Sequence, residues 1–233
     1  MPTDRPQRIA VVLPAHNEAG VVGSVVARIP RSIDGIPLIP LVVDDGSTDS
    51  TGAIARAAGA LVLRHVTNLG VGAATRTGFA AALDLGADLI VTMDADDQHD
   101  PSDIESLVRP AIERGYDVVI GNRLIDPRGM PLSRIMANRL LNGITLLVYG
   151  GSVSDSQSGF KCITADAVRK MHLRADRYDI CSEIVGEIFS KKLRYGSVAV
   201  KPVYTTYSQA KGQHFLNGVN IVLQLLVRIM RRV

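Results

Sequence analysis

Five short apolar runs, each ending in a polar tip, recur through the first half of the chain: RIAVVLPA (8–15), IPLVVDDG (39–46), ALVLRHV (60–66), ADLIVTMDA (87–95) and DVVIGNR (117–123). They are rich in Val, Ile and Leu and nearly continuous, the pattern of strands covered on both faces. Stretches with helical spacing lie between them, such as STDSTGAIARAAGA, where Ser47 or Thr48 is placed to cap a helix. Strand and helix in alternation predict an α/β fold: a mostly parallel, twisted sheet with helices on both faces. Ligands of such sheets bind at the carboxyl ends of the strands. The polar tips fall there, with Asn17 and Glu18 after the first run, Asp44 and Asp45 after the second, and Asp94 and Asp96 after the fourth. One shared pocket is expected.

From about residue 130 the pattern loosens. MPLSRIMANRLLNGITLLVYGG (130–151) reads as a helix, SDSQSGFK (154–161) as a polar loop and SVAVKPVYTTY (197–207) as a late strand. In the last stretch, HFLNGVNIVLQLLVRIMRRV, Asn217, Asn220, Gln224 and Arg228 recur every three or four residues and form a narrow polar stripe on an otherwise apolar helix. Such a helix needs a cover: a membrane surface, a membrane-protein partner, another subunit, or the protein's own core. YSQAKGQ (207–213) before it reads as a loop with Gly212 as a hinge. There is no internal repeat and no window of about 20 uninterrupted apolar residues, so no bilayer-spanning helix is expected.

Composition narrows this picture modestly. The 233 residues are 46% hydrophobic and 21% charged, enough for one sizeable core with an extension. Two cysteines, Cys162 and Cys181, are too few for a disulfide framework and fit a reducing compartment. The first residues, MPTDRPQRIAVVLP, lack the features of a signal peptide, so no leader is expected. The net charge of +3 is unevenly spread: after Glu187 the chain carries Lys191, Lys192, Arg194, Lys201, Lys211, Arg228, Arg231 and Arg232 and no carboxylate. A basic end suits phosphate groups, an acidic membrane face or nucleic acid; it also fits a merely solvated surface.

The candidate chemistry is concentrated in VTMDADDQHDP (91–101), where four carboxylates crowd into seven residues. Asp94, Asp96 and Gln98 alternate, so an extended chain would aim all three the same way. Hard oxygen ligands in this pattern suit Mg²⁺ or Mn²⁺ bridged to a substrate's phosphates, and the cation would relieve the repulsion. An EF-hand is excluded because His99 stands at its obligatory glycine. Asp100 followed by Pro101 reads as a helix start, which leaves Asp94 and Asp96 unexplained. TNLGVGAATRTG (67–78) has the look of a dinucleotide-binding loop, but Thr75 stands at the third glycine position and no ribose-binding acid follows about 20 residues later. In VVDDGSTDST, Asp45, Ser47 and Asp49 read as turn and cap residues, and Asp44 as an acceptor for the ring N–H of a nucleobase.

In order, VVLPAHNE, VVDDGSTD, NLGVGAATRTGF, MDADDQHDP, VIGNR and DSQSGFK resemble the family 2 inverting glycosyltransferases with the nucleotide-sugar-binding GT-A fold, most closely the polyprenyl-phosphate sugar transferases of the dolichyl-phosphate mannose synthase type. The resemblance runs from about residue 8 to residue 207. It implies that Pro14, His16 and Glu18 line the nucleotide pocket, with Asp44 on the base and Gly70 and Arg76 on the donor side. It implies that Asp94, Asp96 and Gln98 surround Mg²⁺ or Mn²⁺ and the diphosphate. Arg123 and Arg134 would grip the acceptor phosphate, and Asp155, Ser158 and Gly159 would close the acceptor side. Two departures stand out: Val71 replaces a basic residue common in relatives, so that any charge needed there falls to Arg76, and the spacing from Arg123 to Arg134 is short. The implied organisation is one transferase domain over 1–207, its nucleotide-sugar half at 8–123 and its acceptor half at 124–207, followed by a basic amphipathic helix at 208–233.

The implied reaction moves a hexose from GDP-mannose or a UDP-hexose to a polyprenyl phosphate, in cell-envelope glycan synthesis. A phosphate monoester has a second pKa of about 6, so it is already an anionic nucleophile at neutral pH and requires arginines to orient it. A hydroxyl acceptor would instead require a general base, for which Glu183 is the candidate; otherwise Glu183 is an ordinary helix carboxylate. A third reading, a non-catalytic nucleotide-sugar-binding subunit, leaves Asp94 and Asp96 without a purpose. The expected location is peripheral, on the cytoplasmic membrane face. Nucleic acid is not an expected partner, and a homo-oligomer is left open.

Overall fold

A computed structural model describes residues 5–126, 130, 132–151, 153–201 and 203, with Ser133 and Arg134 described by backbone alone. The elements run β1 (Ile9–Ala15), α1 (Val22–Arg28), β2 (Ser32–Ile33), β3 (Ile36–Asp44), α2 (Thr51–Ala57), β4 (Leu61–Arg64), α3 (Val71–Asp84), β5 (Leu89–Thr92), α4 (Ile104–Arg114), β6 (Val118–Asn122), α5 (Leu132–Tyr149), β7 (Lys161–Thr164), α6 (Ala165–Lys170), α7 (Ile180–Ser190) and β8 (Tyr195–Ala199). Among the described residues no helix is long and apolar enough to cross a membrane. The loop at 207–213 and the helix expected at 208–233 lie outside the described residues.

The strands form one sheet in the order β2-β3-β1-β5-β7-β6-β8, with β4 also paired to β3. The pairings of β1 with β3 and β5, of β3 with β4 and of β6 with β8 are parallel, as the apolar runs predict. The sheet is nonetheless mixed, because β7 runs antiparallel to both β5 and β6. Its four residues, KCIT, are too short to register as a strand in the sequence. Strand β8 begins at Tyr195, two residues before the run that predicted it.

Alternation along the strands feeds two cores. Ile9, Val11 and Leu13 of β1 join Val91 of β5 and Val119 of β6 under α1, α2 and α4. Ala10 and Val12 join Ile90, Val118 and Ile120 under α3, α6 and α7. Helices on both faces explain why these strands are apolar on both sides.

Register decides where the polar tips meet. Ala15 is level with Asp44, and Val12 with Thr92. Lys161, the first residue of β7, sits opposite Thr92 and Ile120. The antiparallel strand thus enters the sheet at the edge where its parallel neighbours end, bringing the 154–160 loop beside Asp94.

Candidate active site

The acidic turn is built by a change of backbone direction. Strand β5 stops at Thr92, whose hydroxyl donates to the Gly159 carbonyl at 2.7 Å. Asp97 takes the left-handed conformation at φ 66°, so the chain does not stay extended through Gln98. Gln98 therefore turns back on Asp96: its backbone N–H donates to Oδ1 at 3.1 Å and its Nε2 to Oδ2 at 2.6 Å. Asp97 leaves the site to pair with Arg28. Asp100 accepts from the Ser102 N–H at 3.0 Å with Pro101 beside it, the helix-start role read from the sequence.

Asp94 and Asp96 differ in environment. Buried His99 lies with Nε2 3.2 Å from Asp94 Oδ2, a bond an imidazole N–H donates, and its ring packs on Phe160 at 4.9 Å between centroids. Burial pushes the Asp94 carboxyl up, but the His99 bond and charge, with Arg123 and Lys161, outweigh it and hold this group below the usual carboxylate range. For Asp96, burial and then the charge of Asp94 dominate and push its carboxyl up to about 6, with Glu18 adding to the effect. One carboxylate is anchored and held low; the other is raised by burial and by its neighbour's charge. Gly159 completes the corner: a Cβ there would lie 2.8 Å from Asp94 Oδ2 and 2.9 Å from Oδ1, so any side chain would push the carboxylate from its present position.

The opposite wall is basic. Arg123 donates through Nε and Nη2 to the two oxygens of Asp155 at 2.8 and 2.9 Å, and its backbone N–H donates to the same carboxylate at 3.1 Å. Asp155 is wholly buried. Its carboxyl is pushed up by burial but held low overall by this arginine, while hydrogen bonding and pairing with Asp155 raise the Arg123 pKa despite burial. Asp155 thus holds the arginine through three hydrogen bonds. Ser158 is likewise turned inward, its hydroxyl accepting from the Phe160 N–H at 3.3 Å. Its carbonyl accepts from the buried ammonium of Lys161. Sequence reading assigned no role to Lys161 or His99, although both stand inside the quoted motifs. Arg134 lies in the first turn of α5, and its side chain is outside the description.

On the donor side, His16 Nδ1 sits 2.9 Å from the Asp45 carbonyl, and Asn17, at φ 56°, accepts the Thr48 N–H at 2.8 Å. Asp49, and neither Ser47 nor Thr48, accepts from the first N–H of α2, that of Thr51, at 2.9 Å; Ser47 is drawn off to Asn17 and Asp44. Asp44 is fully buried. Its Oδ1 accepts from the Ser47 N–H at 2.9 Å, and its Oδ2 is without a hydrogen-bond partner among the described residues, with Arg64 Nε 3.7 Å away. Asp45 is a structural hub that accepts from the Leu69 and Gly70 N–H groups at 2.9 and 2.8 Å and meets His65 Nδ1 at 2.7 Å.

Gly70 and Arg76 both lie against the 174–177 segment. The Asp176 carbonyl accepts from the Gly72 and Ala73 N–H groups at the start of α3, and a Cβ on Gly70 would lie 2.3 Å from it. Arg76 pairs with the Asp176 carboxylate at 2.7 Å and donates to the Ala175 carbonyl. Glu183 anchors the same segment, accepting from the Arg174 and Ala175 N–H groups at 2.9 and 2.7 Å. The segment delivers Tyr178 to the rim, where burial and then the charges of Asp94 and Asp96 push its phenol up. A cavity of about 30 Å³ is lined by Pro14, Asp94, Gly159, Lys161 and Cys181 among others.

Residues 10–171 match the model of the family described as Glycosyl transferase family 2. The chain is 36% identical over 248 residues to the UDP-N-acetylglucosamine–dolichyl-phosphate N-acetylglucosaminyltransferase of Methanococcus voltae, covering 97% of each. It is 29% identical over 230 residues to the polyprenol monophosphomannose synthase of Mycolicibacterium smegmatis, covering 94% of this chain and 85% of the other. Among solved structures, glucosyl-3-phosphoglycerate synthase of Mycobacterium tuberculosis, in complex with Mn²⁺, uridine diphosphate and phosphoglyceric acid, superposes with a TM-score of 0.73 at 24% identity, over 95% of this chain and 78% of that one. That likeness establishes a common fold.

Proposed function

The chain belongs to glycosyl transferase family 2, and from that premise we propose that it transfers a hexose, with inversion, from a nucleotide-diphosphate sugar to a polyprenyl phosphate. One observation carries the donor half of this reading. Burial, and then the neighbouring charge of Asp94, push the Asp96 carboxyl up to about 6, an arrangement that favours arrival of a cation. Among the described residues no three His, Cys, Asp or Glu stand close enough to hold an ion alone. Two hard carboxylates with room for phosphate oxygens therefore fit Mg²⁺ or Mn²⁺ shared with a diphosphate, and do not fit a closed structural metal site. When bound, the cation supplies positive charge to the departing diphosphate.

The chain's own residues divide the remaining work. His99 fixes the Asp94 carboxylate and Gly159 leaves it room, so both oxygens are oriented before the donor binds. The unfilled acceptor Asp44 Oδ2 fits the ring N–H of a base, with His16 and Glu18 on the same edge. Arg123, held rigid by Asp155, is the group to orient an acceptor phosphate, because a planar guanidinium matches phosphate oxygens. A lipid monophosphate is already anionic and needs no base. That agrees with the engagement of Glu183 by backbone N–H groups, and with the acceptors named for the relatives from M. voltae and M. smegmatis. The basic segment 208–233 is assigned the task of holding the chain at the cytoplasmic membrane face.

The experiment is a transfer assay with UDP-N-acetylglucosamine, UDP-glucose or GDP-mannose and a short-chain polyprenyl phosphate, read by mass spectrometry and by the anomeric configuration of the product. At least one donor should give a sugar–phosphate lipid of inverted configuration, lost in chelator and restored by Mn²⁺ or Mg²⁺. Transfer undiminished in chelator, or confined to hydroxyl acceptors, would overturn the reading.

A further inference from the structure

Lys161 opens β7 and is among the largest fully buried side chains, with 1% exposure. An ammonium taken out of water is costly unless its charge is used. Its hydrogen bond goes to a neutral group, the Ser158 carbonyl. Asp94 and Asp155, the carboxylates that feel its charge, have partners of their own. Arg123 holds Asp155 at 2.8 and 2.9 Å, and His99 meets Asp94 at 3.2 Å. The fold thus keeps a buried positive charge beyond the partners that these carboxylates recruit.

The sheet fixes where that charge sits. Antiparallel pairing sets Lys161 opposite Thr92 and Ile120. The Thr92 hydroxyl holds the Gly159 carbonyl at 2.7 Å, the ammonium holds the carbonyl before it, and Gly159 itself lies against Asp94. Lys161 and Asp94 line one cavity of about 30 Å³, to which α3 contributes Val71 and Thr75. Burial raises the Asp94 carboxyl, and Lys161 acts with His99 and Arg123 to hold it low, so the charge reaches the acidic corner. Among the described residues lining that cavity Lys161 is the only cation. Arg76, on the same helix as Val71, is drawn away to Asp176 and the Ala175 carbonyl. A diphosphate brings further negative charge to a corner that already holds two carboxylates. A fixed ammonium offsets part of that repulsion without having to reorganise.

We propose that Lys161 is the resident counter-charge of the donor corner: its buried ammonium supplies a fixed positive potential that draws the donor's diphosphate to Asp94 and Asp96, in addition to the charge a divalent cation brings. The choice of a diphosphate rests on the donor half of the functional reading above; the charge itself rests on the burial and placement of Lys161.

Calorimetry of the full chain with UDP and with GDP, in Mn²⁺ and in chelator, reads the affinity. For whichever nucleotide the wild type binds, Lys161→Met, close in volume and uncharged, should bind about tenfold more weakly. Val71→Lys, which brings a second cation to the same cavity, should bind more tightly than the wild type. Lys161→Met combined with Val71→Lys should regain most of the loss, whereas a lysine that merely pins the Ser158 carbonyl would not be replaced from α3. Three results would overturn the proposal: Lys161→Met binding as well as the wild type, Val71→Lys binding no more tightly, or the double variant no better than Lys161→Met. Should Lys161→Met fail to fold, Val71→Lys on the native background decides alone. None of these readouts requires turnover. A wild type that binds neither nucleotide would break the functional reading and this assignment together. Binding that is indifferent to Lys161→Met would break this assignment alone, and the expected losses without sugar transfer would break only the functional reading.

Discussion

At the scale of single residues, the site stores an electrostatic conflict that a ligand resolves. Asp96 binds its proton more tightly folded than unfolded, with a pKa near 6 against an ordinary 3.8. The sign follows directly: metal-free stability falls as pH rises across that interval and stays lower above it. Asp96→Asn should therefore raise the metal-free thermal midpoint at pH 7.5, by on the order of 1 kcal/mol after screening, or a few °C. The gain should shrink as pH falls through that interval and vanish only below 3.8, where the native and unfolded carboxyls are both protonated. The same change should abolish Mn²⁺-dependent donor binding measured by calorimetry, and wild-type affinity for Mn²⁺ and nucleotide should weaken as pH falls through about 6. A midpoint that drops at pH 7.5 would contradict this account of Asp96. Gly159→Ala acts by shape alone. Its methyl would displace the Asp94 oxygens from contacts of 2.8 and 2.9 Å, so transfer should fall by about a hundredfold or more, with far-ultraviolet circular dichroism unchanged.

At the scale of elements, the β6–α5 connection and the 154–160 loop act as one clamp. Removing the guanidinium in Arg123→Ala strands the buried Asp155 charge and should cost about 3–5 kcal/mol, measured by denaturant unfolding. Replacing both partners, Arg123→Gln with Asp155→Asn, should recover most of that stability yet leave transfer to polyprenyl phosphate absent. Recovered transfer would remove Arg123 from the acceptor site. The sequence made the parallel strands plain because helices cover both faces, and their apolar runs had to be continuous. It hid β7, since four residues ending in a helix cap carry no usable period. It also hid how side chains are shared out. Arg76 follows a donor-side motif, but its charge is drawn to Asp176 and the Ala175 carbonyl, and only the fold brings residues so far apart in the chain together. His99 and Lys161 sat in view inside quoted motifs; what marks them is burial beside Asp94, which no spacing reveals.

At the scale of the molecule, the carboxyl edge of a mixed sheet gathers an acidic corner, a clamped arginine and a buried carboxylate, Asp44, with one oxygen unfilled among the described residues. The same edge continues into α5, whose outer face carries exposed Leu132, Met136, Leu140 and Leu147. The ordered motifs from residue 8 onward made the family legible before any geometry, because each marks the end of a strand, and strand ends in such sheets converge. Donor identity was not legible, since a carboxylate such as Asp44 accepts from uracil and guanine alike. The central claim is that a divalent cation at Asp94 and Asp96 carries the diphosphate of a sugar nucleotide. Its most direct test is anomalous diffraction from crystals soaked with Mn²⁺ and a nucleoside diphosphate. The account predicts one manganese peak within bonding distance of both carboxylates and of a diphosphate oxygen. A diphosphate bound with no manganese at that corner, together with turnover indifferent to chelator, would contradict it.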